Sequence, residues 1–510
     1  MGCKNFSCSP FFYLIGVILM SIININNLTF SYEGSYDNIF SDVSFQISTD
    51  WKTGFTGRNG RGKTTFLNLL LGKYEYSGTI SADISFEYFP YKISDTKKNT
   101  IDIVEEIFPE YEYWELSREL SVLNMLDELL FRPFETLSKG EQTKIMLAAM
   151  FLKNNSFLLI DEPTNHLDIS GRQLVGSYMN TKKGFILISH DRAFLDSCVD
   201  HIISINKTNI EVQKGDFSSW LANKEMQDNF EISENKKLKK DIKRLSDASK
   251  KRAGWSDKVE KTKYGSKNSG LRVDRGFIGH KAAKMMKSAK ALESRQSAAI
   301  EEKVSLLKNI EDSEALKIFQ LEYHKTKLLE IENLSIFYDK PVCSGVSFTV
   351  EKGDRISLQG KNGSGKSGIL KLICGEKINH SGNILINNQL KISYVSQDTE
   401  FLKGSLTDFA RENDIDESLF KAILRKLDFA KVQFEKDMKD YSGGQKKKVL
   451  IAKSLCDKAH LHIWDEPLNF IDVISRIQLE ELLLQNNPTI LFVEHDSTFC
   501  KNISTKTVNI

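Results

Sequence analysis

Short apolar runs alternate along the chain with longer stretches in which apolar and charged residues are mixed. Residues 157–160 (FLLI) and 461–464 (LHIW) are runs of the first kind, with the length and apolar character of buried strands. The stretches between such runs have the spacing of amphipathic helices. Strands that alternate with helices predict an α/β fold, in which helices cross over between strands of one sheet.

The N-terminal segment needs a separate interpretation. Residues 11–20 (FFYLIGVILM) form an apolar run that a signal peptide or membrane anchor could explain. Crossing a bilayer takes roughly 20 residues, and no small-residue cleavage site follows the run. Met20 also opens the segment MSIININNLTFSY, which predicts the first strand of the fold. We therefore expect residues 1–20 to be an extension outside the fold.

Four motifs occur twice, in the same order and at nearly constant separation. The separations are 303, 304, 304 and 305 residues for the pairs Lys63 and Lys366, Ser138 and Ser442, Asp161 and Asp465, and His190 and His495. Such regular spacing indicates a tandem duplication. We expect one α/β unit in residues 21–225, a second in residues 327–510, and a linker over residues 226–326.

Two glycine-rich segments, GRNGRGKTT and GKNGSGKSG, match the pattern GxxxxGK[ST]. In such a loop, backbone N–H groups surround phosphates at a helix N-terminus, the lysine adds positive charge and the hydroxyl binds Mg²⁺. The chain should therefore bind ATP with Mg²⁺. The predicted nucleotide-binding residues are Gly57, Arg58, Asn59, Gly60, Arg61, Gly62, Lys63, Thr64, Thr65, Gly360, Lys361, Asn362, Gly363, Ser364, Gly365, Lys366 and Ser367.

A pair of acids follows each of the two apolar runs named above. Asp161 and Asp465 are predicted to hold Mg²⁺ together with Thr64 and Ser367, while Glu162 and Glu466 are placed to polarise the attacking water. Solvated acidic pairs would be the alternative, but both pairs lie in register with the other motifs. About 30 residues further on, His190 and His495 follow apolar runs and could contact the γ-phosphate, although a histidine after a strand is usually structural.

The segments LSKGEQ (137–142) and YSGGQK (441–446) resemble the signature of the ABC superfamily, and the resemblance covers nearly all of residues 21–510. It implies an ATPase in which the signature of one cassette completes the ATP site of the other, within a monomer. The residues implied to contact nucleotide are Ser138, Gly140, Glu141, Ser442, Gly443, Gly444 and Gln445. Tyr32 and Tyr338 lie where the family stacks an aromatic ring on adenine, though either could be a core residue, and Gln397 matches the family's Mg²⁺-contacting glutamine.

Two departures from the family pattern predict that the two sites hydrolyse ATP at different rates. Lys139 stands where the family has glycine, and Tyr91 stands in the first half where Gln397 stands in the second. Both halves keep the lysine, the acids and the histidine, so we expect both sites to hydrolyse ATP.

Charge is distributed unevenly. Residues 236–295 contain 20 Lys and Arg against 6 Asp and Glu, a net charge of +14, whereas the whole chain carries +2. Proline is absent between Pro163 and Pro341, so long helices are permitted there. We predict two helices, over residues 231–264 and 280–323, that would span about 45 Å and about 65 Å at 1.5 Å per residue. The glycine-rich segment 265–279 should form the tip of this helical hairpin.

Two fused cassettes with a long basic linker resemble the ABC-F family, as do TNHLD (164–168) and GDFSSW (215–220). The segments WSDKVEKTK, GFIGHKAAKMMK and WDEPLNFIDV resemble its branch that protects ribosomes against lincosamides, streptogramin A and pleuromutilins. That likeness implies a cytoplasmic protein that binds the E site of the bacterial 70S ribosome, beside P-site tRNA and 23S rRNA, with its linker directed at the peptidyl-transferase centre. It implies neither a membrane nor a DNA partner.

The linker tip is the predicted RNA contact, because a basic segment with aromatic residues suits phosphates and stacked bases. The candidate residues are Arg272, Arg275, Phe277, His280 and Lys281. A solvated coiled-coil spacer is the alternative for the linker. For the whole chain, a housekeeping ABC-F translation factor and the ATPase of a separate transporter remain open. Seven scattered cysteines without a CxxC pair are typical of a reducing cytosol.

Overall fold

The computed structural model describes residues 21–33, 38–153, 155–205, 210–261, 323–338 and 341–510, together with residues 280, 287, 294 and 321. These residues belong to two compact units. The described residues before Ser219 and after Glu314 form the first unit, and those between form the second. The first unit contains both halves of the duplication, which we call cassette 1 and cassette 2.

Cassette 1 is built on two sheets. Within the described residues, the larger sheet has six strands in the order β5-β6-β7-β3-β8-β9, with β9 antiparallel to β8 and the other neighbours parallel. A smaller antiparallel sheet has the order β2-β1-β4. The strands are β1 Ile22–Phe30, β2 Phe40–Ser48, β3 Lys52–Thr56, β4 Ser77–Ser81, β5 Ser85–Phe89, β6 Ser156–Asp161, β7 Phe185–Ile188, β8 His201–Ile205 and β9 Ile210–Lys214.

Helices connect the strands of cassette 1 as the alternating pattern predicts. They are α1 Lys63–Leu70, α2 Thr100–Ile107, α3 Tyr113–Val122, α4 Lys139–Phe151, α5 Ile169–Asn180 and α6 Arg192–Cys198, with short 3₁₀ helices at Asp127–Phe131 and Phe134–Thr136. The predicted first strand is confirmed as β1.

Cassette 2 repeats this architecture. Over its described residues, the strand order is β14-β15-β16-β12-β17 in a parallel sheet and β11-β10-β13 in an antiparallel one. The strands are β10 Lys327–Phe337, β11 Pro341–Glu351, β12 Arg355–Gln359, β13 His380–Ile386, β14 Ile392–Val395, β15 Leu461–Asp465, β16 Ile490–Val493 and β17 Lys506–Asn509. The helices are α8 Lys366–Ile373, α9 Leu406–Glu412, α10 Glu417–Lys426, α11 Gly443–Cys456, α12 Val473–Asn486 and α13 Ser497–Ile503, with 3₁₀ helices at Lys431–Glu435 and Met438–Asp440.

One core of each cassette lies between its two sheets and includes the helix that follows the glycine-rich loop. In cassette 2 a second core lies between the parallel sheet and helices α9 to α13. In cassette 1 the ring of Phe66 is fully buried and lies 5.3 Å from the ring of Phe55 and 5.7 Å from that of Phe45, centroid to centroid. The continuous apolar runs predicted as strands, β6 and β15, are buried over nearly their whole length. Burial on both faces explains why these strands show no polar alternation.

The second unit contains all but the first two residues of helix α7, Phe217–Lys261, which starts earlier than the predicted residue 231. The prediction was based on the charged run, which begins later than the helix. In the first turn of the helix, the backbone N–H of Ser218 donates to Asp196 Oδ1 at 2.8 Å. Residues 280, 287 and 294 are helical. Most of the predicted second helix, and the whole predicted tip, lie outside the described residues.

The C-terminal end of the predicted second helix is wrong. Leu321 and Tyr323 are not helical, although the prediction continued to residue 323. The backbone N–H of Leu321 donates to the carbonyl of Ala459 at 3.2 Å, and the ring of Tyr323 packs on that of His460 at 5.0 Å. These tertiary contacts with cassette 2 replace the helical hydrogen bonds that the prediction assumed.

None of the described helices has both the length and the apolar character needed to cross a membrane.

A buried histidine in β15 should make the stability of cassette 2 depend on pH. Burial lowers the pKa of His462 to about 4, and its Nδ1 lies 3.1 Å from Ser454 Oγ. The histidine is therefore neutral in the folded chain, while the unfolded chain binds a proton near pH 6.5. Stability present above pH 6.5 should thus be lost as the pH falls toward 4.

Protonation of His462 in the unfolded chain should by itself lower the free energy of unfolding by about 2 kcal/mol between pH 7 and pH 5. The variant His462→Gln should show a smaller pH dependence than the wild type in urea denaturation at the two pH values. The exposed His380 provides the control substitution, His380→Gln. Equal pH dependence in the wild type and His462→Gln would contradict the prediction.

Candidate nucleotide-binding sites

The parallel sheet of each cassette brings three predicted motifs to one edge. In cassette 1, β3 leads into the glycine-rich loop and α1, β6 ends at Asp161, and β7 leads to His190. The strand β7 lies between β6 and β3, with Asp161 paired to Ile188. Because parallel strands end at the same edge, residues that are far apart in sequence meet there. In cassette 2 the strands β12, β15 and β16 place Asp465 and His495 in the same way.

The two glycine-rich loops have the same conformation. Gly62 and Gly365, directly before α1 and α8, have φ of 93° and 89°, which favours glycine. A Cβ on Gly62 would also lie 2.5 Å from Ile39 Cγ2. Both features hold the loop closely around the helix N-terminus, where backbone N–H groups can bind phosphate.

The loop lysines are folded back over their own loops. Lys63 Nζ donates to the carbonyl of Gly57 at 2.6 Å, and Lys366 Nζ donates to that of Gly360 at 2.9 Å. Burial lowers the pKa of both lysines, and nearby carboxylates oppose that effect. For Lys63 the largest opposing charge is Asp472 of cassette 2, so a residue of the other cassette acts on this site.

Each site pairs a hydroxyl with a carboxylate where Mg²⁺ is predicted. Thr64 Oγ1 lies 3.2 Å from Asp161 Oδ2, and Ser367 Oγ lies 2.9 Å from Asp465 Oδ1. These hard oxygen donors suit Mg²⁺, which keeps water and substrate phosphates as its other ligands. Each hydroxyl–carboxylate pair therefore fits a Mg²⁺ ion that completes its coordination with water and nucleotide phosphates.

The glutamates predicted as general bases lie beside the predicted histidines. His190 Nε2 is 3.3 Å from Glu162 Oε1, and His495 Nε2 is 3.6 Å from Glu466 Oε1. The contact in cassette 1 is not a hydrogen bond. Glu162 Oε1 is buried and has no hydrogen-bond partner. A water activated by either glutamate would thus also face a histidine.

The electrostatic surroundings of these glutamates differ. Burial and the charge of Asp161 raise the pKa of Glu162 to about 8. Burial would also raise the pKa of Glu466, but the neighbouring His495 and the hydrogen bond from Asn469 outweigh it and hold that pKa below its usual value. The two sites are therefore chemically unequal in this arrangement.

Strand register confirms that Tyr91 and Gln397 occupy equivalent positions. Phe89 pairs with Ile160 and Val395 pairs with Trp464, so each residue lies two positions beyond the last paired one. Gln397 Nε2 donates to Glu466 Oε2 at 2.9 Å, so in this structure it contacts the glutamate, although it is predicted as a Mg²⁺ ligand.

In cassette 1 the equivalent tyrosine points elsewhere. The hydroxyl of Tyr91 donates to the carbonyl of Glu106 at 3.4 Å. The tyrosine that does reach the acids is Tyr88, whose hydroxyl donates to Asp161 Oδ2 at 3.0 Å. Burial, followed by the charge of Asp161, raises the pKa of Tyr88, so it remains a neutral donor.

The signature motifs form the N-terminal caps of α4 and α11. Ser138 and Glu141 form a reciprocal capping box, and Ser442 and Gln445 form the equivalent one. Lys139, which departs from the family pattern, donates from Nζ to Gln142 Oε1 at 3.2 Å. Both signatures thus present a helix N-terminus, a favourable environment for phosphate.

Contacts between the cassettes place opposite motifs face to face. Asn59 Nδ2 donates to the carbonyl of Phe470 at 2.8 Å, and Asn362 Nδ2 donates to that of His166 at 3.3 Å. A Cβ on Gly444 would lie 2.3 Å from the Phe470 carbonyl oxygen and 3.2 Å from Asn59 Nδ2, so the signature of cassette 2 lies against the first loop. The head-to-tail arrangement implied by the resemblance is therefore present.

The predicted adenine-stacking tyrosines lie next to the glycine-rich loops. The hydroxyl of Tyr32 is 2.8 Å from Thr65 Oγ1, and that of Tyr338 is 3.3 Å from where a Cβ on Gly368 would lie. Both rings are exposed.

Several buried or partly buried cations beside the acids were not predicted. Lys447 Nζ donates to the carbonyls of Ser396 and Glu466, at 3.0 and 3.1 Å. Arg172 and Arg476 pair with the aspartates that follow the predicted histidines. The two arginines lie 304 residues apart in the duplication, a signal that aligning the halves beyond the motifs could have detected.

Of the five predicted RNA-contacting residues, the structure describes His280 alone. His280 is helical and exposed. Arg272, Arg275, Phe277 and Lys281 lie outside the described residues.

Comparison with known proteins identifies the same modules. The family model described as "ABC transporter" matches residues 40–165 and 343–469. Ribosome protection protein VmlR of Bacillus subtilis is 27% identical over 501 residues, covering 94% of this chain and 85% of that protein. Erythromycin resistance ATP-binding protein MsrA of Staphylococcus epidermidis is 28% identical over 469 residues, covering 89% of this chain and 91% of that protein.

Solved structures show the same fold. The archaeal ribosome recycling factor aABCE1, solved in complex with the archaeal ribosomal stalk protein aP1, superposes with a TM-score of 0.61 and 18% sequence identity. The match covers 95% of this chain and 87% of that chain. At this identity the likeness concerns the fold alone.

The difference between Gln397 and Tyr91 gives a test of the unequal sites. We expect Gln397→Ala to reduce steady-state ATP hydrolysis about 10-fold at the second site, because it removes a polar contact to the predicted base. Tyr91→Ala is the matched variant at the equivalent position and should change hydrolysis less than twofold, about 0.4 kcal/mol in activation free energy. Hydrolysis is measured in the Glu162→Gln background for the first variant and the Glu466→Gln background for the second. Equal losses of ATP hydrolysis in Gln397→Ala and Tyr91→Ala would contradict the predicted difference between the two sites.

Proposed function

We infer that this chain, which belongs to the ABC-F family of ATPases, binds the bacterial 70S ribosome in the cytoplasm and protects it from antibiotics. The drug classes that we propose are lincosamides, streptogramin A and pleuromutilins. On the ribosome, the linker between the cassettes would extend from the E site, past P-site tRNA, toward the peptidyl-transferase centre in 23S rRNA.

The observation that carries this proposal is the basic surface of helix α7. Lys236, Lys237, Lys240, Lys243 and Arg244 are exposed along it. At 1.5 Å per residue its 45 residues extend about 68 Å, longer than a typical small domain. Such a long, positively charged helix favours contact with RNA phosphates over a purely mechanical spacer.

The similarity to ribosome protection protein VmlR and to erythromycin resistance protein MsrA supports the choice of ribosome and drug. We further propose that Arg272, Arg275, Phe277, His280 and Lys281 belong to the segment that approaches RNA.

The ATPase cycle would control ribosome binding through the two composite sites. Each site takes its glycine-rich loop, acids and histidine from one cassette, and its signature from the other. ATP bound between them would hold the cassettes together, and Mg²⁺ at the hydroxyl–carboxylate pair would neutralise phosphate charge. Glu162 and Glu466 would accept a proton from the attacking water, with His190 and His495 orienting it. Hydrolysis would then release the chain from the ribosome.

Ribosome binding is tested with the double variant Glu162→Gln, Glu466→Gln, in which both predicted bases are neutral amides. We expect this variant to pellet with 70S ribosomes in the presence of ATP, because the closed state persists without hydrolysis. The variant Lys63→Ala, Lys366→Ala is the control that should not be retained, since its ATP binding is impaired. Failure of the ATP-bound double glutamine variant to pellet would reject any ribosomal function.

Drug protection is tested separately, by expression in a susceptible bacterial host. We expect the wild type to raise the inhibitory concentrations of lincomycin and tiamulin at least fourfold. The Glu162→Gln, Glu466→Gln variant, produced at the same level, should not do so because it cannot complete the cycle. Ribosome binding with unchanged inhibitory concentrations would instead favour a housekeeping ABC-F translation factor.

A further inference from the structure

A cluster of charged side chains lies between the two cassettes, behind the histidines. Its members, most of them buried, alternate in charge and come from both halves: Arg172, Asp191 and Arg192 from cassette 1, and Arg476, Glu480 and Asp496 from cassette 2. Arg192 forms an ion pair with Glu480 across the interface. Charges buried at this depth are stable only when they are paired, so the cluster is a constraint on how the cassettes meet.

Each cassette contributes the same internal ion pair to the cluster. Arg172 lies 2.7 Å from Asp191, and Arg476 lies 3.0 Å from Asp496. These aspartates directly follow His190 and His495, and they cap the helices α6 and α13. Each arginine therefore holds the loop that carries a histidine of its own nucleotide site.

Arg172 also makes a bond that crosses the interface. The same nitrogen, Nη1, that pairs with Asp191 donates to the carbonyl oxygen of His495 at 3.1 Å. One guanidinium therefore joins the histidine loop of the first site to the histidine of the second. We propose that Arg172 is a positioning residue that couples the two ATP sites, so that hydrolysis at the second site depends on cassette 1.

The geometry explains how this bond could affect hydrolysis. His495 Nε2 lies 3.6 Å from Glu466 Oε1, so a displacement of the His495 backbone changes the distance between histidine and base. Efficient catalysis depends on such placement to within a fraction of an ångström. Arg172 is also anchored by Nε, which donates to the carbonyl of Leu167 at 3.1 Å, so its position is fixed from cassette 1.

Arg476, the equivalent residue of cassette 2, bonds within its own cassette. It directs Nε and Nη2 to the carbonyls of Ile471 and Leu468, both at 2.9 Å, and Nη1 to Asp496 Oδ2 at 3.0 Å. The bond from Arg172 to the carbonyl of His495 is therefore an asymmetric link, directed from cassette 1 to the second site.

The test isolates the second site in the Glu162→Gln background and is performed without ribosomes, so it is independent of the ribosomal proposal. The Glu162→Gln, Glu466→Gln chain, in which both predicted bases are replaced, gives the background rate of ATP hydrolysis. Adding Arg172→Ala should lower kcat at least fivefold and leave KM for ATP within twofold, because the predicted ATP contacts are unchanged. Arg172→Lys should recover at least half of the lost kcat, because both bonds come from one nitrogen that an ammonium group can replace.

Arg355→Ala is the matched control. Arg355 donates to the carbonyl of Ile503 and to Asn487 Oδ1, both at 2.7 Å, so its contacts remain within cassette 2. This control should change kcat less than twofold. The proposal is overturned if Arg172→Ala keeps kcat within twofold, or if Arg355→Ala loses as much. Should Arg172→Ala not fold, Arg172→Gln takes its place with the same thresholds.

Discussion

The parallel register of strands β3, β6 and β7, repeated in β12, β15 and β16, is the constraint on which the rest of this molecule depends. Parallel neighbours end at one edge, so a loop, a carboxylate and a histidine that are up to 135 residues apart arrive at the same place. Antiparallel neighbours would separate them. Burial of these strands on both faces fixes their register, because the whole apolar run contributes to the core.

A second constraint follows from the duplication. Each glycine-rich loop lies against the other half, as the bonds from Asn59 to Phe470 and from Asn362 to His166 show. A single cassette therefore lacks part of each site. The surroundings of Glu162 and Glu466 are nevertheless different, because duplication preserves position while individual side chains diverge.

Sequence alone predicted the features that local pattern determines. The α/β fold, the strands β1, β6 and β15, and the equivalence of Tyr91 and Gln397 all follow from apolar runs and motif spacing. It did not predict Arg172, Arg476 or Lys447, since their roles arise from contacts between residues far apart in sequence. The start of α7 was predicted too late because charge marked the linker, while a hydrogen bond between Ser218 and Asp196 starts the helix. The end at Tyr323 was missed because packing on His460 is tertiary.

The ion pair between Arg192 and Glu480 has a consequence for association between separate molecules. The duplicate of Glu480 is Gly176, where a Cβ would lie 2.4 Å from Ser197 Oγ, and the duplicate of Arg192 is Ser497. If cassettes from two chains met as identical partners, Arg192 would face glycine or Glu480 would face serine. Either mismatch leaves a buried charge without its counterion, at a cost of about 3–5 kcal/mol. Each half is therefore chemically matched to the other half, which opposes pairing between like cassettes of two chains.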